Sequence, residues 1–117
     1  MTSRNKKSSV VGMGKSGAGC VVCGWNRINT SGRSLLMGAH VRPFHESSDY
    51  DTANNIIALC PNHHAEFDAG LLTIHPDGKL VLHVDPLDEY HNKPLVGTVC
   101  HVQRGYLDYH FKRKFKG

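Results

Sequence analysis

The chain has 117 residues, of which 39% are hydrophobic and 8% aromatic, which is enough for one domain with a modest core. The formal net charge of +4 favours a polyanionic partner such as nucleic acid. No apolar stretch resembles a signal peptide or reaches membrane-spanning length. The composition therefore argues against secreted and membrane proteins, and it predicts a cytoplasmic protein with reduced cysteines and no membrane partner.

The first residues differ in composition from the rest of the chain. Residues 1–18 are rich in Ser, Gly and Lys and have little apolar periodicity, which predicts a flexible basic arm that could follow a phosphate backbone. From Cys20 onward, apolar runs alternate with turn signals. We therefore expect one folded domain over residues 19–117.

Two short strands and a helix are predicted next. The segments LLMGAHV (35–41) and IIAL (56–59) are apolar runs of strand length, and the polar residues 42–55 between them predict a loop. A helix over residues 61–69 follows, because a proline occupies its first position and Gly70 fits the left-handed residue that ends a helix.

The C-terminal half adds a hairpin and a second helix to the predicted elements. Residues 71–84, LLTIHPDGKLVLHV, contain two apolar runs around Pro-Asp-Gly, which indicates a β-hairpin. Residues 104–115, RGYLDYHFKRKF, repeat apolar residues at helical spacing, which predicts an amphipathic terminal helix with its basic residues facing water.

Four metal-capable residues occur as two pairs with the same spacing. Cys20 and Cys23 form one pair in CVVC, and Cys60 and His63 form the other in CPNH. Four such donors from two turns suit tetrahedral zinc, so we predict a structural zinc site. The alternatives are a redox-active cysteine pair and buried cysteines that pack as small hydrophobic residues.

The residue after the predicted zinc ligand His63 has a different neighbour. Adjacent helix positions point about 100° apart, so His64 cannot easily share the zinc ion, whereas Asp68 lies one turn on. A histidine and a carboxylate could hold a catalytic Mg²⁺, Mn²⁺ or similar divalent ion that keeps open positions for water and substrate. The alternative is local pairing of Asp68 beside an exposed, non-functional His64.

These residues stand in an order that resembles a known family. His40 in GAHVRP, Asn55 in NNIIALC and His64 in CPNHH are similar to the His-Asn-His signature of the HNH endonucleases, and HHAEFDAGLLTI and YLDYHFKRKF resemble their restriction-endonuclease-like branch. The resemblance covers roughly residues 20–115. It implies a small α+β protein of the ββα-metal fold, with a structural zinc site, an added β-hairpin and a C-terminal helix.

The resemblance also implies a role for each residue of the signature. His40 would be the general base that takes a proton from the attacking water. Asn55 would hold the loop and the His40 ring by hydrogen bonds, with Asn54 as a competitor for that role. His64 would bind the divalent ion that neutralises charge on the phosphate. The implied activity is metal-dependent hydrolysis of phosphodiester bonds in DNA.

One position departs from the family pattern. Many members carry Asp or His directly before the base as a metal ligand, where this chain has Ala39. Asp68, Asp49 or Asp51 would then have to supply the missing ligand. This departure keeps open a non-catalytic, zinc-stabilised module that binds nucleic acid, and a thiol redox protein is a second alternative.

Several basic residues are candidate DNA contacts. Arg42, close behind the base, is a candidate phosphate clamp, and His45 follows in the same loop. The terminal run of Lys112, Arg113 and Lys114 could contact the DNA backbone, although such runs are more often only solvated. DNA is therefore the expected partner, and the sequence leaves a homodimer open.

Overall fold

Two antiparallel strands followed by a helix form the centre of the fold. The computed structural model describes residues 6–17, 19–43 and 47–117. The elements of its N-terminal half are, in chain order, helix α1 (Lys6–Lys15), strand β1 (Met37–His40), strand β2 (Ile56–Leu59) and helix α2 (Pro61–Asp68). Strand β1 pairs with β2 from Met37 opposite Leu59 to His40 opposite Ile56. The base loop, residues 41–55, joins the two strands and contains two 3-10 turns, Ser48–Tyr50 and Ala53–Asn55.

Local signals set both ends of helix α2. Pro61 is its first residue, and the Sγ atom of Cys60 caps the helix by accepting a hydrogen bond from the His63 N–H at 3.4 Å. Gly70 follows the helix with a φ of 79°, the left-handed conformation that glycine adopts without strain. The helix therefore matches the prediction closely and presents His63 and His64 in its first turn.

The C-terminal half contains a second small sheet. Its strands are β3 (Leu72–Ile74), β4 (Leu80–His83) and β5 (Lys93–Pro94), which pair antiparallel in that order. Strands β3 and β4 form the predicted hairpin, with Gly78 at a φ of 76° in the turn. Helix α3 (Arg104–Tyr109) then continues into a π-helical turn (His110–Lys114). Within the residues described, no helix combines the length and apolar character needed to cross a membrane.

The apolar core surrounds strand β2. All four residues of β2, Ile56 to Leu59, are 0% exposed, because β1 pairs along its edge while α1 and α2 both contact it. A strand that is covered on both faces needs no polar alternation, which explains the uniformly apolar IIAL segment. Other large, fully buried side chains are Val21, Val22, Val41, Phe67, Leu72, Ile74 and Val81.

The N-terminal segment differs from the flexible arm that its composition predicts. From Lys6 to Lys15 it is helix α1, and a Cβ atom added at Gly12 would lie 2.7 Å from the Cβ of Ile56. The buried Ser16 hydroxyl donates to the Gly12 carbonyl at 3.1 Å and accepts from the Ala58 N–H at 3.0 Å. The small residues that resemble a linker in the sequence therefore allow this segment to lie close against β2. Residues 1–5 and Ala18 lie outside the described residues.

A buried histidine joins the C-terminal helix to α2. The His110 Nε2–H donates to the Phe67 carbonyl at 3.1 Å, and Nδ1 accepts from the Thr73 hydroxyl at 2.7 Å. Its ring stacks on Phe67, with centroids 3.7 Å apart and an interplanar angle of 8°. Burial lowers the pKa of His110 to about 4, against the opposing effect of the hydrogen bond to Phe67. The ring is therefore neutral at pH 7 and links α2 to the C-terminal helix.

This low pKa predicts a loss of stability in mild acid. The unfolded chain takes up the proton below about pH 6.5, whereas the folded chain resists it down to about pH 4, so folding is progressively penalised across that window. We expect this group to remove about 3 kcal/mol of unfolding free energy between pH 7 and pH 4. The measurement is the free energy of unfolding by denaturant at pH 7 and at pH 4, for the parent protein and for the His110→Gln variant. If the unfolding free energies of the two proteins depend equally on pH, the loss of stability does not come from His110.

Candidate functional site

The predicted zinc ligands come together in the structure. Cys20 and Cys23 lie in a turn before the loop to β1, and Cys60 and His63 lie at the start of α2. The His63 Nδ1 atom is 3.7 Å from the Cys20 Sγ and 3.3 Å from the Cys60 Sγ, and the Sγ atoms of Cys23 and Cys60 are 4.0 Å apart. All four ligand atoms lie within 4.8 Å of one another.

This donor set fits tetrahedral zinc. Zn–S bonds of about 2.3 Å and Zn–N bonds of about 2.0 Å at tetrahedral angles imply ligand-to-ligand distances of about 3.5–3.8 Å. The three ligand-to-ligand distances given above, between 3.3 and 4.0 Å, lie within a few tenths of an ångström of that range. Three thiolates and one imidazole also match the ligand chemistry of structural zinc sites. The geometry favours a metal site over a disulfide, since all the cysteines are free thiols.

The pKa values of the cysteine thiols reflect how closely the four side chains of the cluster are packed. Burial opposes ionisation of Cys20, but hydrogen bonds from His63 and from backbone groups outweigh it and lower the pKa to about 6. Burial and the charge of Cys20 raise the pKa of Cys23 to about 12. Without a metal, the protein therefore favours ionisation of Cys20 and opposes ionisation of Cys23, because burial and the neighbouring negative charge both penalise a second thiolate. A divalent cation would relieve that repulsion.

The candidate base His40 is paired with a buried carboxylate. Its Nε2 atom lies 2.8 Å from the Asp51 Oδ1, and the two side chains are only 8% and 4% exposed. A carboxylate accepts the Nε2–H, which makes Nδ1 the basic nitrogen of the neutral ring. The sequence suggested Asp51 only as a substitute metal ligand. Its pairing with His40 depends on how the base loop folds back, for which the sequence carries no local signal.

Asn55 fastens the base loop. Its side chain is fully buried, accepts the Arg42 N–H at 2.8 Å, and donates to the carbonyls of Arg42 at 2.8 Å and Tyr50 at 2.6 Å. The Asn55 amide thus holds the two ends of the base loop side by side. It also fixes Tyr50, the residue that precedes Asp51. Asn54, the competing candidate, accepts a hydrogen bond from Thr52 through its side chain, and its carbonyl accepts from Gln103.

His64 and Asp68 face each other on α2. The His64 Nε2 is 3.3 Å from the Asp68 Oδ2, and the side chains are 26% and 59% exposed. Two ligand atoms at this separation can bind one divalent ion and leave positions for water and a phosphate oxygen. Ala39 is fully buried in the core and offers no ligand. Helix α2 contacts β1, the strand that ends at His40.

The predicted DNA contacts differ in their surroundings. The Arg42 guanidinium lies over the rings of Tyr50 and Tyr109. Lys112 is exposed and pairs with Asp108 at 3.2 Å, which reduces the charge it presents to a phosphate. Arg113 is exposed and Lys114 is half-buried. His45 lies outside the described residues.

A second group of metal-capable side chains is better explained by hydrogen bonds. The His83 Nε2 lies 3.4 Å from Glu66 and 3.6 Å from Asp88. Its Nδ1 accepts the Asp85 N–H at 2.9 Å, so a neutral ring carries its proton on Nε2. That nitrogen then has no lone pair for a metal, and it donates to the carboxylates instead. The cluster ties α2 to β4.

Comparisons with known proteins agree with this geometry. Residues 20–75 match the sequence model of a family described as HNH endonuclease. The structure is similar to one described as a modification dependent TagI restriction endonuclease, with a TM-score of 0.75 and 29% sequence identity. That match covers 97% of this chain but only 39% of the other, so the chain spans well under half its length. No curated protein sequence matches. The predicted α+β fold of the ββα-metal type is confirmed.

Proposed function

We propose that the chain is an HNH endonuclease that hydrolyses phosphodiester bonds in DNA, since residues 20–75 match that family and the structure is similar to a restriction endonuclease. In this proposal His40 is the general base, and His64 and Asp68 hold one divalent ion. The observation that carries this proposal is the buried pair of His40 and Asp51 at 2.8 Å. A carboxylate that orients an imidazole is the arrangement expected of a general base.

The pair can perform the proton transfer that hydrolysis requires. Asp51 accepts the Nε2–H of His40, and Nδ1 takes a proton from water as the water oxygen bonds to phosphorus. The bond from phosphorus to the leaving sugar oxygen breaks, and that oxygen leaves with the electron pair. The imidazolium that forms is stabilised by Asp51, whose negative charge is buried beside it.

Helix α2 would present the divalent ion to the phosphate. When bound, Mg²⁺ or Mn²⁺ supplies positive charge that stabilises the transition state and the leaving oxygen. His64 and Asp68 would be its protein ligands, because their ligand atoms lie 3.3 Å apart on the exposed side of the helix. The structural zinc held by Cys20, Cys23, Cys60 and His63 would fix the start of the same helix.

DNA is the proposed partner, and contacts to its backbone would come from basic residues. Arg42 stands two residues after the base and is the proposed phosphate clamp. His45, Lys112, Arg113 and Lys114 are further proposed contacts, among which Arg113 is exposed in the C-terminal turn. We also propose a cytoplasmic location, and a homodimer remains a prediction.

One observation favours a different function. The position before His40, which supplies a metal ligand in many family members, is the buried Ala39. With only His64 and Asp68 as ligands, affinity for the catalytic ion would be lower than in a site with three protein ligands. The second candidate is therefore a non-catalytic, zinc-stabilised module that binds nucleic acid.

A cleavage assay on supercoiled plasmid separates these functions. The zinc-loaded protein is incubated with plasmid in EDTA-free buffer alone, and with Mg²⁺ or Mn²⁺ added. The nuclease is expected to convert supercoiled plasmid to nicked or linear forms only with the added ion. Plasmid that is bound, as judged by gel retardation, but stays uncut at every ion concentration would support the binding module instead.

A further inference from the structure

Two tyrosine rings contact the guanidinium of Arg42. The Arg42 Cζ lies 4.4 Å from the ring centroid of Tyr50 and 4.1 Å from that of Tyr109, over both rings. Tyr50 belongs to the base loop, whereas Tyr109 is the last residue of α3. The C-terminal helix, which is far along the sequence from the His-Asn-His signature, thus reaches the loop that follows the base.

Arg42 and the residue that follows Tyr109 are both held in place by other parts of the fold. Asn55 binds the N–H and the carbonyl of Arg42, which fixes the backbone of that residue. The residue after Tyr109 is His110, whose ring stacks on Phe67 of α2. Tyr109 therefore contacts the base loop through Arg42, while the next residue contacts the helix that carries the proposed metal ligands.

An aromatic ring suits the task of holding a phosphate-binding arginine. The face of the ring attracts the guanidinium without accepting any of its N–H donors, whereas a carboxylate in the same place would accept them. The long arginine side chain otherwise samples many rotamers, and ordering it on binding weakens the contact. A ring in this position orders the side chain before the DNA arrives.

We propose that Tyr109 is a positioning residue for Arg42, so that the C-terminal helix orders the phosphate contact of the active site. The inference rests on the proposed function, in which Arg42 binds the DNA phosphate. In this proposal Tyr109 affects cleavage through Arg42, and Tyr50 supplies the second ring. The C-terminal helix then contributes to cleavage through this aromatic contact as well as through its basic residues.

The first test compares three variants in the plasmid cleavage assay. Tyr109→Leu is expected to lower kcat/KM about tenfold, a loss of the size that one cation–π contact can produce. Tyr109→Phe keeps a ring and is expected to restore most of the activity. Phe111→Leu removes a ring from the same part of the chain, where it lies by His75 and Phe115, and should leave the rate unchanged. If Tyr109→Leu fails to fold by circular dichroism, Tyr109→Met replaces it.

A double-mutant cycle with Arg42→Ala makes the test decisive. If Tyr109 acts through Arg42, Tyr109→Leu causes no further loss in the Arg42→Ala background. An equal loss in both backgrounds would show a merely structural role, and no loss in the parent background would show that Arg42 does not need the ring. Either result overturns the inference while leaving the nuclease intact. A parent protein that binds but never cleaves DNA overturns the proposed function, and this inference with it.

Discussion

Replacing His40 with alanine is expected to lower the rate of divalent-ion-dependent plasmid cleavage by about 10²–10⁴-fold, the range for loss of a general base. The imidazole is held by Asp51 at 2.8 Å in a pair that is almost fully buried. Alanine leaves no group there to take the proton from water. The measurement is the single-turnover cleavage rate at saturating DNA, which isolates the chemical step from binding.

The control for this variant is His75→Ala. It removes an imidazole that is 44% exposed and pairs with Asp77 in the hairpin, outside the proposed site. We expect His75→Ala to cleave at the parental rate and both variants to bind DNA and zinc as the parent does. Cleavage by His40→Ala at the parental rate would assign the base to another residue.

Loss of one zinc ligand is expected to unfold the protein. Structural zinc contributes about 10–16 kcal/mol of apparent binding free energy in zinc-finger peptides, which is as large as the whole stability of a typical domain, about 5–15 kcal/mol. Cys60 caps the start of α2, the helix that carries the proposed catalytic ion. Cys60→Ser therefore removes a proposed zinc ligand from the start of that helix. The measurements are zinc content by elemental analysis and thermal unfolding by circular dichroism.

Cys100 provides the matched control for that experiment. It is an exposed free thiol and does not belong to the cluster of four ligands. Cys100→Ser is expected to retain zinc and the parental melting temperature. If Cys60→Ser retains both as well, the cluster does not hold a structural metal, and a redox or packing role for the cysteines becomes the better explanation.

Local signals explain which elements the sequence predicts well. Strand β2 occupies the predicted residues 56–59, and α2 begins at Pro61 and is followed by a left-handed Gly70 as expected. The cluster of three cysteines and one histidine that could hold zinc was also predictable, because two pairs with a two-residue gap are a short-range pattern. Each of these features depends on residues that are close together in the chain.

Features that depend on distant contacts escape such reasoning. Helix α1 forms against β2 through Gly12 and Ser16, and neither residue indicates a helix by its own propensity. The pairing of His40 with Asp51 requires the base loop to fold back through the hydrogen bonds of Asn55. The contact of Tyr109 with Arg42 depends on where α3 lies relative to that loop.

If the adjacent histidines His63 and His64 bind different metals, replacing each with alanine in turn will have different effects. Zinc content and cleavage rate are measured for both proteins in the same preparation. We expect His64→Ala to keep its zinc and its fold but to lose ion-dependent cleavage, and His63→Ala to lose zinc. A His64→Ala protein that loses zinc, or that cleaves at the parental rate, would show that the two histidines do not bind separate metals.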